Sequence, residues 1–437
     1  MARRQTSLDL SLPRGVDDVE PERYALQSKV RAAFEDVCRL YNFQVMEPAS
    51  LEHLNTLRAK SGEDIDKEIY SFKDKGGRDI GLRFDLTVGI TRYVCSRKDL
   101  RLPAKLAAFG GIWRYDEPQY GRYRWSHQWD LEIFGPPSIG SDAEVIDASS
   151  SILKRAGIPD ITIKVGDRRV VEDFIRKSIG ITEQSRLVEL MRALDKVDKK
   201  SSKELSSEYV AKGFKQKEVD ALLEFGRLRG SPDEVLARAS ELKLEAVGEL
   251  RALADILDSR GLKNVEYNMS IVRGIDYYTG IVFEASDNKN PRLGSLFGGG
   301  RYDALPKLFG RDDLSATGAA GGAERMAMSL STQPPPERNL AYVAVAGRKV
   351  SAEAQRAVKR IRESGIPCES SMQQRSLSKQ LEEASRLGAT WTVILGEKEL
   401  EAGGVTLRDM RSGDEELLPL DDAIRRMTHT EPNRRNL

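Results

Sequence analysis

The chain has 437 residues, 40% hydrophobic and 31% charged, with a formal net charge of +1. This ordinary globular mix is long enough for two or three domains and excludes collagen, a disulfide scaffold and a mostly disordered chain. Three scattered cysteines (Cys38, Cys95, Cys368) and three histidines (His53, His127, His429) give no metal-cluster spacing.

No apolar run approaches the ~18 residues of a membrane span. The opening Met-Ala-Arg-Arg-Gln-Thr-Ser lacks an apolar signal core. A cytoplasmic protein without membrane contact is therefore expected. Its near-neutral charge means that any nucleic-acid binding must come from a local basic surface.

In chain order, residues 20–42 read as a helix, with Tyr24, Val30, Ala33, Phe34, Val37, Leu40 and Tyr41 near i, i+3, i+4 spacing. A short strand follows at 43–47, stopped by Pro48. From 80 to 135, period-2 patterning predicts strands. Leu82–Val88 reads as one, with Arg83, Asp85 and Thr87 on one face and Leu82, Phe84, Leu86 and Val88 on the other. A second strand, 125–135, sets Trp125, His127, Trp129, Leu131 and Ile133 against Ser126, Gln128, Asp130 and Glu132. His127 falls on the apolar side, which suits a satisfied core histidine better than a base. Between Gly110 and this strand, Pro118 and Gly121 mark a loop carrying Arg122 and Arg124, with Arg114 just before it. Several arginine forks converging on one hairpin suit a polyphosphate, although simple solvation also accounts for them.

Residues 168–262 are rich in Lys, Glu, Leu and Ala and read as a helical insertion. The charge run 195–203 reads as a solvated helix face. Strand patterning resumes at 266–285, then a glycine-dense stretch covers 294–322. Gln333-Pro-Pro-Pro336 is a stiff spacer and the clearest boundary. Beyond it, strands at 340–346, 367–371 and 391–395 alternate with helices at 351–364, capped by Ser351 and closed by Gly365, and at 376–387. That alternation predicts a small α/β domain with a largely parallel sheet. The expected division is 1–167, 168–262, 263–332 and 338–430.

Several runs together resemble the histidyl-tRNA synthetase family. Arg114 followed by Pro118-Gln119, Gly121-Arg-Tyr-Arg124, His127-Gln128 and Glu132 is similar to class II motif 2. Val272-Arg-Gly-Ile-Asp-Tyr-Tyr-Thr-Gly280 and Leu296-Phe-Gly-Gly-Gly-Arg-Tyr-Asp-Ala-Leu305 resemble the two histidine motifs. Gly318–Met326 resembles motif 3, residues 20–48 the dimer-forming motif 1, and Leu82–Val88 the amino-acid-binding strand of archaeal and eukaryotic members. The tail, with Ser376–Leu381, Ile394–Leu400 and Val405–Met410, is similar to an anticodon-binding domain. Gly89 departs from the pattern, standing where a proline usually follows.

The resemblance implies an α/β (α+β) fold: a mainly antiparallel catalytic sheet flanked by helices, a helical insertion and a C-terminal α/β anticodon-binding domain. It implies ligation of L-histidine to tRNA(His) through an adenylate, with ATP as substrate, Mg²⁺ as counter-ion of its phosphates, and a homodimer. The catalytic residues would be Arg114 and Arg273. The histidine site would use Asp85, Leu86, Thr87, Arg114, Gln128, Glu132, Arg273, Tyr277, Tyr278 and Tyr302. A carboxylate and a hydroxyl, Glu132 and Tyr278, would read the two imidazole nitrogens. ATP would be held by Arg114, Asp116, Arg122 and Arg325, and tRNA by Gln119 and Arg124. No Mg²⁺ ligand is assigned. The alternatives are a catalytically silent paralogue that senses histidine as a regulatory subunit, and a class II synthetase for another amino acid.

Overall fold

The computed structural model describes residues 10–59, 63–115, 117, 123–197, 200–272, 277–332, 339–347, 350–373 and 375–429. They fall into two compact units, Met1–Gln333 and Pro334–Leu437.

The first unit is built on a nine-stranded sheet among the described residues. Its order runs Gln44–Val45, Ala104–Trp113, Trp125–Gly135, Ser315–Gly322, Ser295–Arg301, Ile281–Asp287, Ile161–Asp167, Val265–Asn268 and Arg229–Gly230. The central strands pair antiparallel. Gln44–Val45 pairs in parallel with Ala104–Trp113 and Val265–Asn268 with Ile161–Asp167, while Arg229–Gly230 is antiparallel to Val265–Asn268.

One side is covered by two helices, Pro21–Leu40 and Ile139–Ala156. The first starts with proline at its first position, where a missing N–H costs nothing. It buries Val30, Ala33, Phe34 and Val37, the expected apolar stripe, while Tyr24 and Leu40 lie exposed. Among the described residues, six α-helices and one π-helical segment, Ile175–Ile179, follow between Arg168 and Ser259. Ser201 and Ser231 each form a reciprocal capping box with the glutamate three residues on. The helices share one apolar core with the sheet, Leu190 and Leu250 clustering with Ile163 and Tyr267. In the charge run, Lys196 and Lys200 pair with Glu208 at 2.8 and 2.6 Å.

One expected strand is corrected. Extended pairing stops at Leu82, and Thr87–Ser96 is a helix. Asp85 Oδ1 accepts the Val88 amide at 3.1 Å, satisfying a donor that a helix start leaves open. Neither side of 82–88 faces water, because Arg83, Asp85 and Thr87 are as buried as Phe84, Leu86 and Val88. Gly89 lies in that helix against Pro48, whose Cβ would sit 2.7 Å from any added Cβ.

The second unit has a five-stranded sheet, ordered Cys368–Ser370, Ala341–Ala346, Trp391–Gly396, Val405–Asp409 and Glu415–Leu418. The first three strands are parallel as expected, and the last two run antiparallel. Ala341 and Val343 face one apolar cluster while Tyr342 and Ala344 face another, so both faces are covered. Val350 occupies the N-cap position of the Ser351–Glu363 helix without a side-chain cap bond, Ser351 is the first helical residue rather than the cap, and Gly365 follows at φ +84°.

Candidate active site

The Trp125–Gly135 strand positions most of the site. Its polar residues, Gln128, Asp130 and Glu132, are all buried. Polar and charged groups taken out of water need partners, and these three have them. Asp130 Oδ1 accepts from Gln128 Nε2 at 2.7 Å, and its Oδ2 from the Thr87 hydroxyl at 3.0 Å. Gln128 Oε1 in turn accepts from Arg114 Nη2 at 3.1 Å, while Arg114 Nε donates to the Phe84 carbonyl at 2.8 Å. A continuous polar chain therefore runs Thr87–Asp130–Gln128–Arg114. Asp130, its hub, was not among the expected site residues, although its place on the polar side of the strand pattern was visible.

Four residues beyond Gln128 on the same strand lies Glu132, 1% exposed. The Tyr302 hydroxyl donates to Glu132 Oε2. The Tyr302 ring stacks on Tyr277 at 4.9 Å and 15°, and Tyr277 meets Tyr278 edge-on at 4.9 Å. Burial, reinforced by the Glu132 charge, holds the Tyr302 phenol well above its ordinary pKa, and burial does the same for Tyr277. Leu86, fully buried, packs into this aromatic nest. Glu132 fits because its partner across the sheet is Gly318. A Cβ there would sit 1.6 Å from Glu132 Oε2. The Gly298-Gly-Gly300 run lies inside a strand and not a turn. A Cβ on Gly299 would come 2.2 Å from the Gly318 carbonyl.

Beside this nest opens a cleft of about 460 Å³. Arg114, Gln128, Arg325, Glu68, Glu324 and His127 contribute its charged and polar wall. Arg325 Nη1 donates to the Ser295 carbonyl at 3.0 Å. Glu324, a second residue the sequence reading did not single out, accepts from the His127 amide at 2.7 Å and from Gln27 Nε2 at 3.1 Å. His127 Nδ1 lies 3.3 Å from the same oxygen. The histidine is thus held by a carboxylate at the cleft edge, as a satisfied and not a free side chain.

The structure thereby gathers Asp85, Leu86, Thr87, Arg114, Gln128, Glu132, Tyr277, Tyr278, Tyr302 and Arg325 on one region of the sheet. Arg124, the expected tRNA contact, has partners within the chain. Its guanidinium lies 3.9 Å over the Tyr115 ring, and its Nη1 donates to the Arg14 carbonyl at 2.9 Å. Arg273, Asp116, Gln119 and Arg122 lie outside the described residues.

Residues 15–326 match the family profile described as "Histidyl-tRNA synthetase", and residues 340–429 match "Anticodon binding domain". A histidine–tRNA ligase of Thermococcus kodakarensis is 36% identical over 424 residues, covering 94% of this chain and 96% of that protein. A second, from Pyrococcus furiosus, is 35% identical with 94% and 97% covered. Among solved structures, histidyl-tRNA synthetase from Nostoc sp. PCC 7120 superposes with a TM-score of 0.84 at 24% identity, covering 96% of this chain and 99% of that one. An ATP phosphoribosyltransferase regulatory subunit/histidyl-tRNA synthetase from Bacillus halodurans gives 0.74 at 23% identity, with 90% and 99% covered. At those identities the superpositions show the fold alone. The profile match and the identity over nearly the full length establish that the chain belongs to the histidyl-tRNA synthetase family.

Proposed function

We propose that the chain ligates L-histidine to tRNA(His) through histidyl-adenylate, consuming ATP and releasing AMP and pyrophosphate. One observation carries this reading above the rest. A single strand presents Gln128 to a cleft walled by arginines and, ~13 Å further along, Glu132 to a closed aromatic nest. That layout suits one extended substrate with phosphate at one end and a small polar ring at the other.

In this reading the histidine carboxylate attacks the α-phosphate of ATP and pyrophosphate leaves. Negative charge accumulates on the α-phosphate in the transition state, so fixed cations there are the main requirement. Arg114, pinned by Phe84 and Gln128, supplies one, and Arg273 is assigned as a second. Arg122 and Arg325 hold the outer phosphates, with Asp116 near the adenine. Glu132 and Tyr278 read the imidazole, Tyr277 and Tyr302 shape its pocket, and Asp85, Thr87 and Gln128 face the α-ammonium. Gln119 and Arg124 are assigned to tRNA.

Among the described residues, no three His, Cys, Asp or Glu side chains gather as a metal cage. Mg²⁺ would enter as the counter-ion of the nucleotide phosphates. Glu68 and Glu324 are the carboxylates the cleft offers it. We further infer a homodimer through residues 20–48, a helical insertion over 168–262 that packs on the catalytic sheet, and a cytoplasmic location. No helix among the described residues is long and apolar enough to cross a membrane.

The test is charging of purified transcripts with labelled histidine. Acylation of tRNA(His) and of no other transcript supports the reading. Tight histidine binding without acylation would favour the regulatory alternative.

A further inference from the structure

We propose that residues 13–18 form a strap that sets the wall of the nucleotide cleft, with Arg124 as its anchor and a positioning residue for adenylation. The inference rests on the synthetase reading and assigns Arg124 a role that needs no tRNA.

The strap begins with a turn. Val16 N–H bonds the Pro13 carbonyl at 3.1 Å, and Gly15 sits at φ +81°, a conformation that costs a side chain dearly. The turn aims two successive carbonyls at Arg124. Gly15 O accepts the Arg124 amide at 2.9 Å, and Arg14 O accepts its Nη1 at 2.9 Å. The guanidinium lies over the Tyr115 ring at 3.9 Å, well inside cation–π range. These contacts join residues 110 positions apart in the chain.

Arg124 passes the constraint on to both cleft-lining neighbours. Its carbonyl accepts the Arg114 amide at 2.9 Å. Tyr123, the residue before it, lines the cleft, and the Arg23 guanidinium lies 5.2 Å over its ring. Arg23 in turn holds the far end of the strap, donating from Nη2 to the Asp18 carbonyl at 2.7 Å. Two cleft residues, Arg114 and Tyr123, thus take their backbone position from one clamp. The Arg14–Glu117 pair, 3.6 Å apart with both side chains about four-fifths exposed, adds little.

The experiment is histidine-dependent ATP–pyrophosphate exchange without tRNA, on full-length chains carrying Arg124→Ala, Arg124→Lys or Gly15→Val. Gly15→Val leaves the Arg124 side chain in place and lies outside the cleft lining, yet its side chain is incompatible with the turn that aims the Gly15 and Arg14 carbonyls at Arg124. We expect Arg124→Ala and Gly15→Val to raise the KM for ATP about tenfold, the loss of one or two hydrogen bonds. The KM for histidine should stay within about threefold, and Arg124→Lys should recover part of the ATP effect. Unchanged ATP KM in both variants, with a raised KM for tRNA in the Arg124→Ala charging reaction, would overturn the strap and leave Arg124 as a tRNA contact. Equal loss of ATP and histidine affinity together with a lowered melting temperature would also overturn it, as general destabilisation. Absence of exchange in the unaltered chain would instead sink the synthetase reading itself.

Discussion

The contact between Gly318 and Glu132 allows a sharp prediction. Alanine at 318 places a methyl 1.6 Å from Glu132 Oε2, 2.4 Å from its Cδ and 2.8 Å from the Leu131 carbonyl. Ordinary C···O contacts begin near ~3.3 Å, so the carboxylate must move by more than an ångström. It has nowhere easy to go. Glu132 is 1% exposed and bonded to Tyr302, whose ring is itself stacked on Tyr277. The Leu131 carbonyl belongs to the paired strand, so the backbone must also give. Overpacking of this kind costs ~1–3 kcal/mol of stability, while moving a recognition group by ~1 Å costs about 10²-fold in rate. In pyrophosphate exchange, Gly318→Ala should lower kcat/KM for histidine about 10²-fold, with the KM for ATP within about threefold. Circular dichroism and melting would confirm that the variant folds. A folded variant with unaltered histidine kcat/KM would refute the placement of Glu132 as the histidine reader.

Three more outcomes follow from the same geometry. Tyr302→Phe removes the hydroxyl that donates to buried Glu132. A bond to a charged group contributes ~1.5–3 kcal/mol, so the histidine KM should rise on the order of 10–10²-fold. Because burial keeps that phenol protonated, the ratio to wild type should be flat from about pH 6 to 9. Arg114→Lys keeps the charge but cannot bond Phe84 and Gln128 while reaching a phosphate. The exchange rate should fall on the order of 10²–10³ with the fold intact, as single-turnover kinetics would show. Burial pushes Cys38 up to about 12 and both Cys95 and Cys368 up to about 11. Thiolate is the reactive form, and raised values mean that it appears only as pH climbs toward them. A disulfide reagent near pH ~8 should therefore label the native chain slowly and all three thiols promptly after denaturation. Fast stoichiometric labelling of native protein would contradict this.

What could be read from the sequence was whatever repeats locally. Trp125–Gly135 showed its alternation plainly, and its polar side became the spine of the site. Leu82–Val88 showed the same alternation and misled, because β-branched Thr87 and Val88 mimic a strand while Asp85 serves a helix start. The signal was an aspartate three residues before the amide it accepts. Asp130 was visible on the polar side of Trp125–Gly135 beside Gln128, but its second partner, Thr87, 43 positions away, was not. Glu324 meets His127 across 197 positions, and Arg124 meets Arg14 across 110. Such contacts follow from sheet order, which no local pattern encodes. The motif runs located Glu132, Tyr302 and Arg114, but only the folded chain shows which hydrogen bonds each already spends.

The central claim is that one strand joins a phosphate-binding cleft to a histidine-reading pocket. Its most direct test is ATP–pyrophosphate exchange with each of the twenty amino acids in the absence of tRNA. Exchange driven by histidine alone is the predicted result. No exchange with any amino acid, by protein shown to be folded, would contradict it, as would faster exchange with an amino acid other than histidine.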